Sequence, residues 1–148
     1  MITRIIHWLS AVTLGSAIVL IFYFSYLLLW PIEVCYFYPD SFITTKTVYQ
    51  SRDILTYRTH IRKNINLSAV VIQSFVDGIV HQLPDRITNN PVGESDFINT
   101  SVVIPPGLPL GKYHFTTTVV YKINAFRDVT YTFKSNEFEI TDESSRLP

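Results

Sequence analysis

The chain has one cysteine, Cys35, in 148 residues, so no intrachain disulfide can form. Charged residues make up only 16%, against about 25% in a typical soluble domain. The shortfall is local, because no charged side chain stands between Arg4 and Glu33. Beyond residue 30 there are eleven Lys/Arg and twelve Asp/Glu, a net charge of −1. A near-neutral domain has no electrostatic footprint for nucleic acid. Histidine is scarce as well. His60, His81 and His114 form no close pair, and the sequence contains no His-Glu-x-x-His, so the usual metal-ligand spacings are missing. Asp85, Glu94 and Asp96 share a loop but lack ordered calcium-ligand spacing. Gly-x-Ser-x-Gly, phosphate-loop and dinucleotide-binding fingerprints are also missing. No catalytic, cofactor-binding or metal-binding residue is assigned, and a non-enzymatic protein without a cofactor is expected.

What is present begins with a long apolar run. Ile5 to Trp30 is interrupted only by scattered polar residues, all small apart from His7. A spanning helix needs about 20 apolar residues. Trp8 and Trp30 are 22 residues apart, roughly 33 Å along a helix, which matches a hydrocarbon core of about 30 Å. Tryptophans at that separation read as interfacial anchors, with Tyr23 and Tyr26 adding aromatic weight on the second side. Pro31 is placed to end the helix. A cleaved signal peptide fits less well. Its apolar stretch is shorter, and Gly15-Ser16-Ala17 leads into more apolar sequence rather than a polar mature start. Arg4 and the amino terminus flank one end, whereas Glu33 and Asp40 precede Lys46 at the other. The positive-inside rule then predicts a cytoplasmic N-terminus and a periplasmic or extracellular C-terminal domain. Ala11-x-x-x-Gly15, with Ser16 alongside, is a small-x-x-x-small pattern that lets two helices approach closely. These three residues are the candidate helix-packing face.

After residue 31 the pattern changes from helical to alternating. Lys112–Ile123 is the clearest strand, with Tyr113, Phe115, Thr117, Val119, Tyr121 and Ile123 on one side. A hairpin at Asn124-Ala125-Phe126 leads to a return strand carrying Val129, Tyr131 and Phe133. Phe138 and Ile140 sit at the opposite parity, which predicts a bulge near Ser135-Asn136. Ile54–Arg62 reads as a strand with Leu55, Tyr57, Thr59 and Ile61 inward and Arg58, His60 and Arg62 outward. Leu67–Val76 reads as a central strand, apolar on both faces. Asp77-Gly78 is a turn before a short partner, Ile79–Leu83. Phe97–Ile104 is a further strand, and Glu33–Tyr38 and Thr44–Tyr49 are edge candidates. Pro84–Asp96 reads as a long polar loop. Seven or eight short strands between turns predict a β-sandwich of about seven strands. The domain reading is residues 1–30 for a stub and transmembrane helix, 31–141 for the sandwich and 142–148 for a tail.

Pro105-Pro-Gly-Leu-Pro-Leu-Gly-Lys-Tyr113 is the most distinctive stretch. Its Leu-Pro-x-Gly-x-Tyr turn resembles the tyrosine-corner entry of fibronectin type III and immunoglobulin-like domains. Tyr113 is the matching structural residue. The immunoglobulin cysteine pair and core tryptophan are absent, which argues against an antibody-type domain. The anchor, Phe75-Val-Asp-Gly78, Leu83-Pro84 and the tyrosine turn together resemble small membrane-anchored proteins of tailed phages and prophages. That resemblance implies architecture and origin rather than activity. The lack of a disulfide, common in animal extracellular domains, leans the same way.

Arg58, His60 and Arg62, with Lys63 nearby, are the candidate basic surface, suited to lipid head groups or an acidic glycan. His60 and His114, on outward phases, are expected in solvent. Asn66 and Asn99 open sequons that matter only in a glycosylating host. The expected function is a membrane-anchored, protein-interaction module displayed outside the cytoplasm. Its alternative is an accessory or assembly subunit of a membrane complex that uses the helix. The expected partners are the lipid bilayer and a protein, with no nucleic acid.

Overall fold

The computed structural model describes residues 2–29, 32–38, 41–95 and 97–142. The expectations at Trp30, Pro31, Asp40, Asp96 and residues 143–148 lie outside the described residues. One helix, α1 (Ile2–Leu29), is followed by thirteen strands among them. Contacts divide the chain into two units: residues up to Ile32 with Ile123–Arg127, and the remainder.

In the first unit, Arg4–Leu29 is long and apolar enough to cross a membrane, with mean hydropathy 2.1 and no part of its most apolar stretch buried. Three of its hydroxyls bond back into the helix itself. Ser10 donates to the Ile6 carbonyl at 3.0 Å, Thr13 to Leu9 at 2.9 Å and Ser16 to Thr13 at 2.9 Å. A lipid environment demands such internal satisfaction. Helix C-termini leave carbonyls without intrahelical partners. Here Asn124 Nδ2 donates to the Leu27 carbonyl at 3.1 Å. Phe126 meets Phe24 edge to face, with centroids 6.0 Å apart.

The second unit is a β-sandwich. One layer holds two three-stranded groups. In the first, β1 (Cys35–Phe37) and β9 (Gly93–Glu94) flank β5 (Ile61–Lys63). In the second, β2 (Ile43–Thr44) and β10 (Ile98–Val103) flank β4 (Ile54–Thr59). The other layer is built on β11 (Gly111–Asn124), which pairs along Tyr121–His114 with β6 (Ala69–Val76). β7 (Val80–Gln82) and β8 (Arg86–Thr88) both pair with β6. β12 (Arg127–Lys134) returns beside β11. β13 (Phe138–Thr141) pairs antiparallel with β11 and parallel with β3 (Val48–Gln50).

The alternation in β11 puts Tyr113, Phe115, Thr117, Val119 and Tyr121 inward, all buried. Phe115 and Phe75 meet Tyr57 and Phe42 from the facing layer in one aromatic cluster. Tyr49, Leu55, Ile104, Leu108, Tyr113, Phe138 and Ile140 complete this core. Full burial of a Leu or Phe side chain is worth about 1.5–3 kcal/mol each, so this cluster is a major source of the domain's stability.

Several expected boundaries differ. Ile54–Arg62 is not one strand but two, because the chain changes partners at His60. The Ser41 hydroxyl donates to the His60 carbonyl at 2.7 Å and accepts the His60 amide at 2.9 Å, which fixes the crossover. Thr44–Tyr49 likewise divides between β2 and β3, which belong to different layers. The loop Pro84–Asp96 contains two strands, β8 and β9. At Ser135 the phase slip is a strand break. Ser135 Oγ accepts the Phe115 amide at 2.9 Å, and the Ser135 amide donates to the Phe115 carbonyl at 2.8 Å.

Candidate functional site

Registers in the first layer place Tyr36 opposite Arg62 and Arg62 opposite Glu94. Phe37 and Ile61, one residue on, have the opposite parity. Tyr36, Arg62 and Glu94 therefore share the outer face. Arg58 pairs with Ile43 on one side and Asn99 on the other, so it joins that face from β4.

The outer face carries a continuous run of rings. Tyr36 and Tyr38 meet edge to face at 5.0 Å. Tyr38 stacks on His60 at 3.9 Å with planes 14° apart, and His60 lies 5.0 Å from Phe97. The Arg58 guanidinium sits 4.1 Å over the Phe97 ring, and that of Arg62 lies 5.8 Å from Tyr36. Cation–π contacts of this kind are worth about 0.5–1 kcal/mol at exposed sites, and they hold long side chains in one place. Glu94 accepts the Tyr38 hydroxyl at 2.9 Å and stands 3.5 Å from His60. This contact holds the Tyr38 phenol above its ordinary pKa. Ile43, Thr44 and Thr45 form a groove with Arg58 and Phe97.

The structure thus brings Arg58, His60 and Arg62 onto one surface, but not as a solvated stripe. His60 is half-buried between Tyr38 and Phe97, and His114 is half-buried against the Ser135 carbonyl at 3.1 Å. Both correct the expectation of solvent exposure, because rings from neighbouring segments cover the first and the Ser135 turn covers the second.

Lys63 does not belong to that surface. It is 2% exposed and points between the layers. Its ammonium donates to the Leu67 carbonyl at 2.7 Å, the Asn90 carbonyl at 2.7 Å and Asn89 Oδ1 at 3.2 Å. These acceptors are neutral, and together they join two loops. Cys35, directly across the ladder from Lys63, is buried with Sγ 3.1 Å from the Tyr121 hydroxyl. Burial pushes its thiol pKa up, so Cys35 is held as an unreactive thiol.

Tyr113 is fully buried, and its hydroxyl donates to the Pro109 carbonyl four residues upstream at 2.8 Å. Burial, and then the neighbouring Asp77 carboxylate, push its pKa up to about 12. On α1, Ala11 and Gly15 are exposed one turn apart with Ser16 beside them. A Cβ built on Gly15 would meet nothing within 4 Å, so this face is open.

No protein-family model matches the chain. No curated protein matches it either. Among solved structures it is similar to a protein of unknown function from Porphyromonas gingivalis W83, at 11% identity and a TM-score of 0.47. The match covers 78% of this chain and 51% of that one, so the chain spans about half the length of that protein.

The residues that sequence reasoning missed on the outer face are aromatic. Tyr36, Tyr38 and Phe97 come from segments 20 or more residues away from His60 in sequence. Only the strand register brings them beside the basic residues. The alternation Tyr36-Phe37-Tyr38 carried a signal, since an outward tyrosine pair on a short strand is costly to expose unless something covers it.

Proposed function

We propose that the chain is a membrane-anchored, non-enzymatic binding module. Its sandwich recognises a protein partner through the outer face of β1, β4 and β5. The observation that carries this reading is the contiguous Tyr36–Tyr38–His60–Phe97 run with Arg58 and Arg62 laid against its rings. Interface centres are enriched in aromatic residues and Arg, and a few such side chains carry most of the binding energy. Side chains already held by one another lose little freedom on binding.

The apolar helix supplies the anchor, and the positive-inside rule supports a cytoplasmic N-terminus with the sandwich outside. A phage or prophage origin belongs to the same proposal and rests on the motif resemblance alone.

Replacing α1 with an unrelated single-pass anchor tests the reading. The swapped protein should still capture the partner of the native protein in cell-surface crosslinking. Loss of capture after the swap, together with loss on Ala11→Ile or Gly15→Ile in the native helix, would instead assign recognition to the membrane segment. The protein would then act as an assembly subunit.

A further inference from the structure

Between the aromatic core and the buried Cys35, Lys63 and Tyr121, the two layers leave a gap. Along β11 the inward positions change from Phe115 to Thr117 and Val119, and the facing positions of β4 and β5 are Thr59 and Ile61. A cavity of about 210 Å³ occupies the space between them. Its walls include Phe37, Phe42, Val71, Ile98 and Phe133. β8 forms its rim, where Arg86 and Ile87 line the opening and are themselves exposed.

Half of the residues lining this cavity are polar, and three of them, Tyr57, Thr117 and Arg86, converge on one side. Tyr57 is buried, and its oxygen accepts Gln73 Nε2 at 2.7 Å and Arg86 Nη2 at 3.3 Å. With its oxygen so occupied, the Tyr57 O–H remains as a donor, with the Thr100 and Thr117 hydroxyls beside it. Thr117 is 4% exposed and lies beside that phenol, yet its hydroxyl completes no hydrogen bond of acceptable geometry. Buried hydroxyls are rarely left so. No carboxylate among the described residues forms an ion pair with Arg86. The Arg86 guanidinium and the Tyr57 and Thr117 hydroxyls thus lie together at one side of a space walled elsewhere by aromatic and aliphatic side chains.

We propose that this cavity is a binding site for a small apolar acid, an aryl or short-chain carboxylate. The carboxylate would sit against Arg86, Tyr57 and Thr117, with the apolar body among Phe37, Phe42, Val71 and Phe133. Charge-assisted hydrogen bonds from Arg and hydroxyl donors suit a carboxylate. A dry cavity of about 150 Å³ holds benzene. The larger space here therefore takes a ligand of about eight to ten non-hydrogen atoms, too few for a membrane lipid's acyl chain.

The test uses the full chain in lipid nanodiscs with labelled Ile and Val methyl groups, titrated with phenylacetate or hexanoate. Phenylacetamide is the neutral comparator. Saturable shifts are expected at Ile61, Val71, Ile98 and Val119, with half-saturation on the order of 0.1–1 mM for so small a ligand. The amide should bind about fivefold more weakly or worse, a loss typical of removing one charge-assisted hydrogen bond. Arg86→Gln, a change at an exposed position, should weaken the acids to a similar extent and remove most of their advantage over the amide. Absence of saturable shifts at these methyls up to about 10 mM of either acid, beyond the affinity range expected, would overturn the proposal. Equal affinity for acid and amide would overturn it too.

Discussion

Lys63 buries its ammonium against the carbonyl of Leu67, 2.7 Å away, and the same nitrogen reaches the Asn90 carbonyl at the same distance. A buried cation is tolerated only when its donors are used, and here they hold two loops together. Lys63→Met keeps most of the volume but leaves both carbonyls without their donor. The expected cost is about 1–3 kcal/mol for each buried acceptor left unsatisfied. Urea denaturation measures it, and hydrogen exchange should quicken first in residues 64–68 and 89–92.

Tyr113 ties its strand to the turn before it through the Pro109 carbonyl. Tyr113→Phe retains the ring among Phe75 and Phe138 and removes only the hydroxyl. A loss of about 1 kcal/mol is expected, seen as a lower urea midpoint with an unchanged slope. Phe115→Ala, by contrast, empties the centre of the aromatic cluster and should cost about 3–5 kcal/mol.

Stability should fall on the alkaline side. Burial raises the pKa values of Cys35, Tyr57, Tyr113 and Tyr121, the last two most strongly. The folded state therefore holds these protons more tightly than the unfolded chain does. Their contribution is complete below the ordinary thiol and phenol pKa values. It is lost as pH rises through the raised ones, above about pH 9–10. Denaturant midpoints measured from pH 7 to 12 should decline over that window. Tyr121→Phe should flatten the decline, and phenolate absorbance should show this ring ionising late or only on unfolding.

The inward phase of the strands was legible because period-two alternation is local. Tyr113, Phe115, Tyr121, Leu55 and Tyr57 could all be placed from parity alone. The breaks at His60 and between Thr44 and Val48 were not legible. A strand changes partners there, and the partners are distant in sequence. Lys63 shows how parity can be overruled by residue type. It continues the inward series Leu55, Tyr57, Thr59, Ile61, yet its charge suggests the surface. Its burial depends on carbonyls at Leu67 and Asn90 that no local pattern announces. Gln73 and Thr117 are comparable, as polar residues at inward positions that mark where the core gives way to the cavity.

The basic surface was half legible. Arg58, His60 and Arg62 share a parity, but their aromatic neighbours arrive from β1, from the residue after it and from the residue before β10. The difference matters for function, because isolated exposed charges contribute little to affinity whereas stacked Arg–aromatic pairs make binding centres.

The most direct measurement is site-specific photocrosslinking in cells, with the photoreactive residue placed at Ile43 beside Arg58 and Phe97, or at Val80 on β7 as a control. Both positions are exposed. A discrete protein adduct should form from position 43 and not from position 80. It should be lost on Arg58→Ala or Phe97→Ala while the domain stays folded, its thermal midpoint lowered by no more than about 8 °C. Adducts that form equally from both positions, or that survive both alanine substitutions in a folded protein, would contradict recognition through this face.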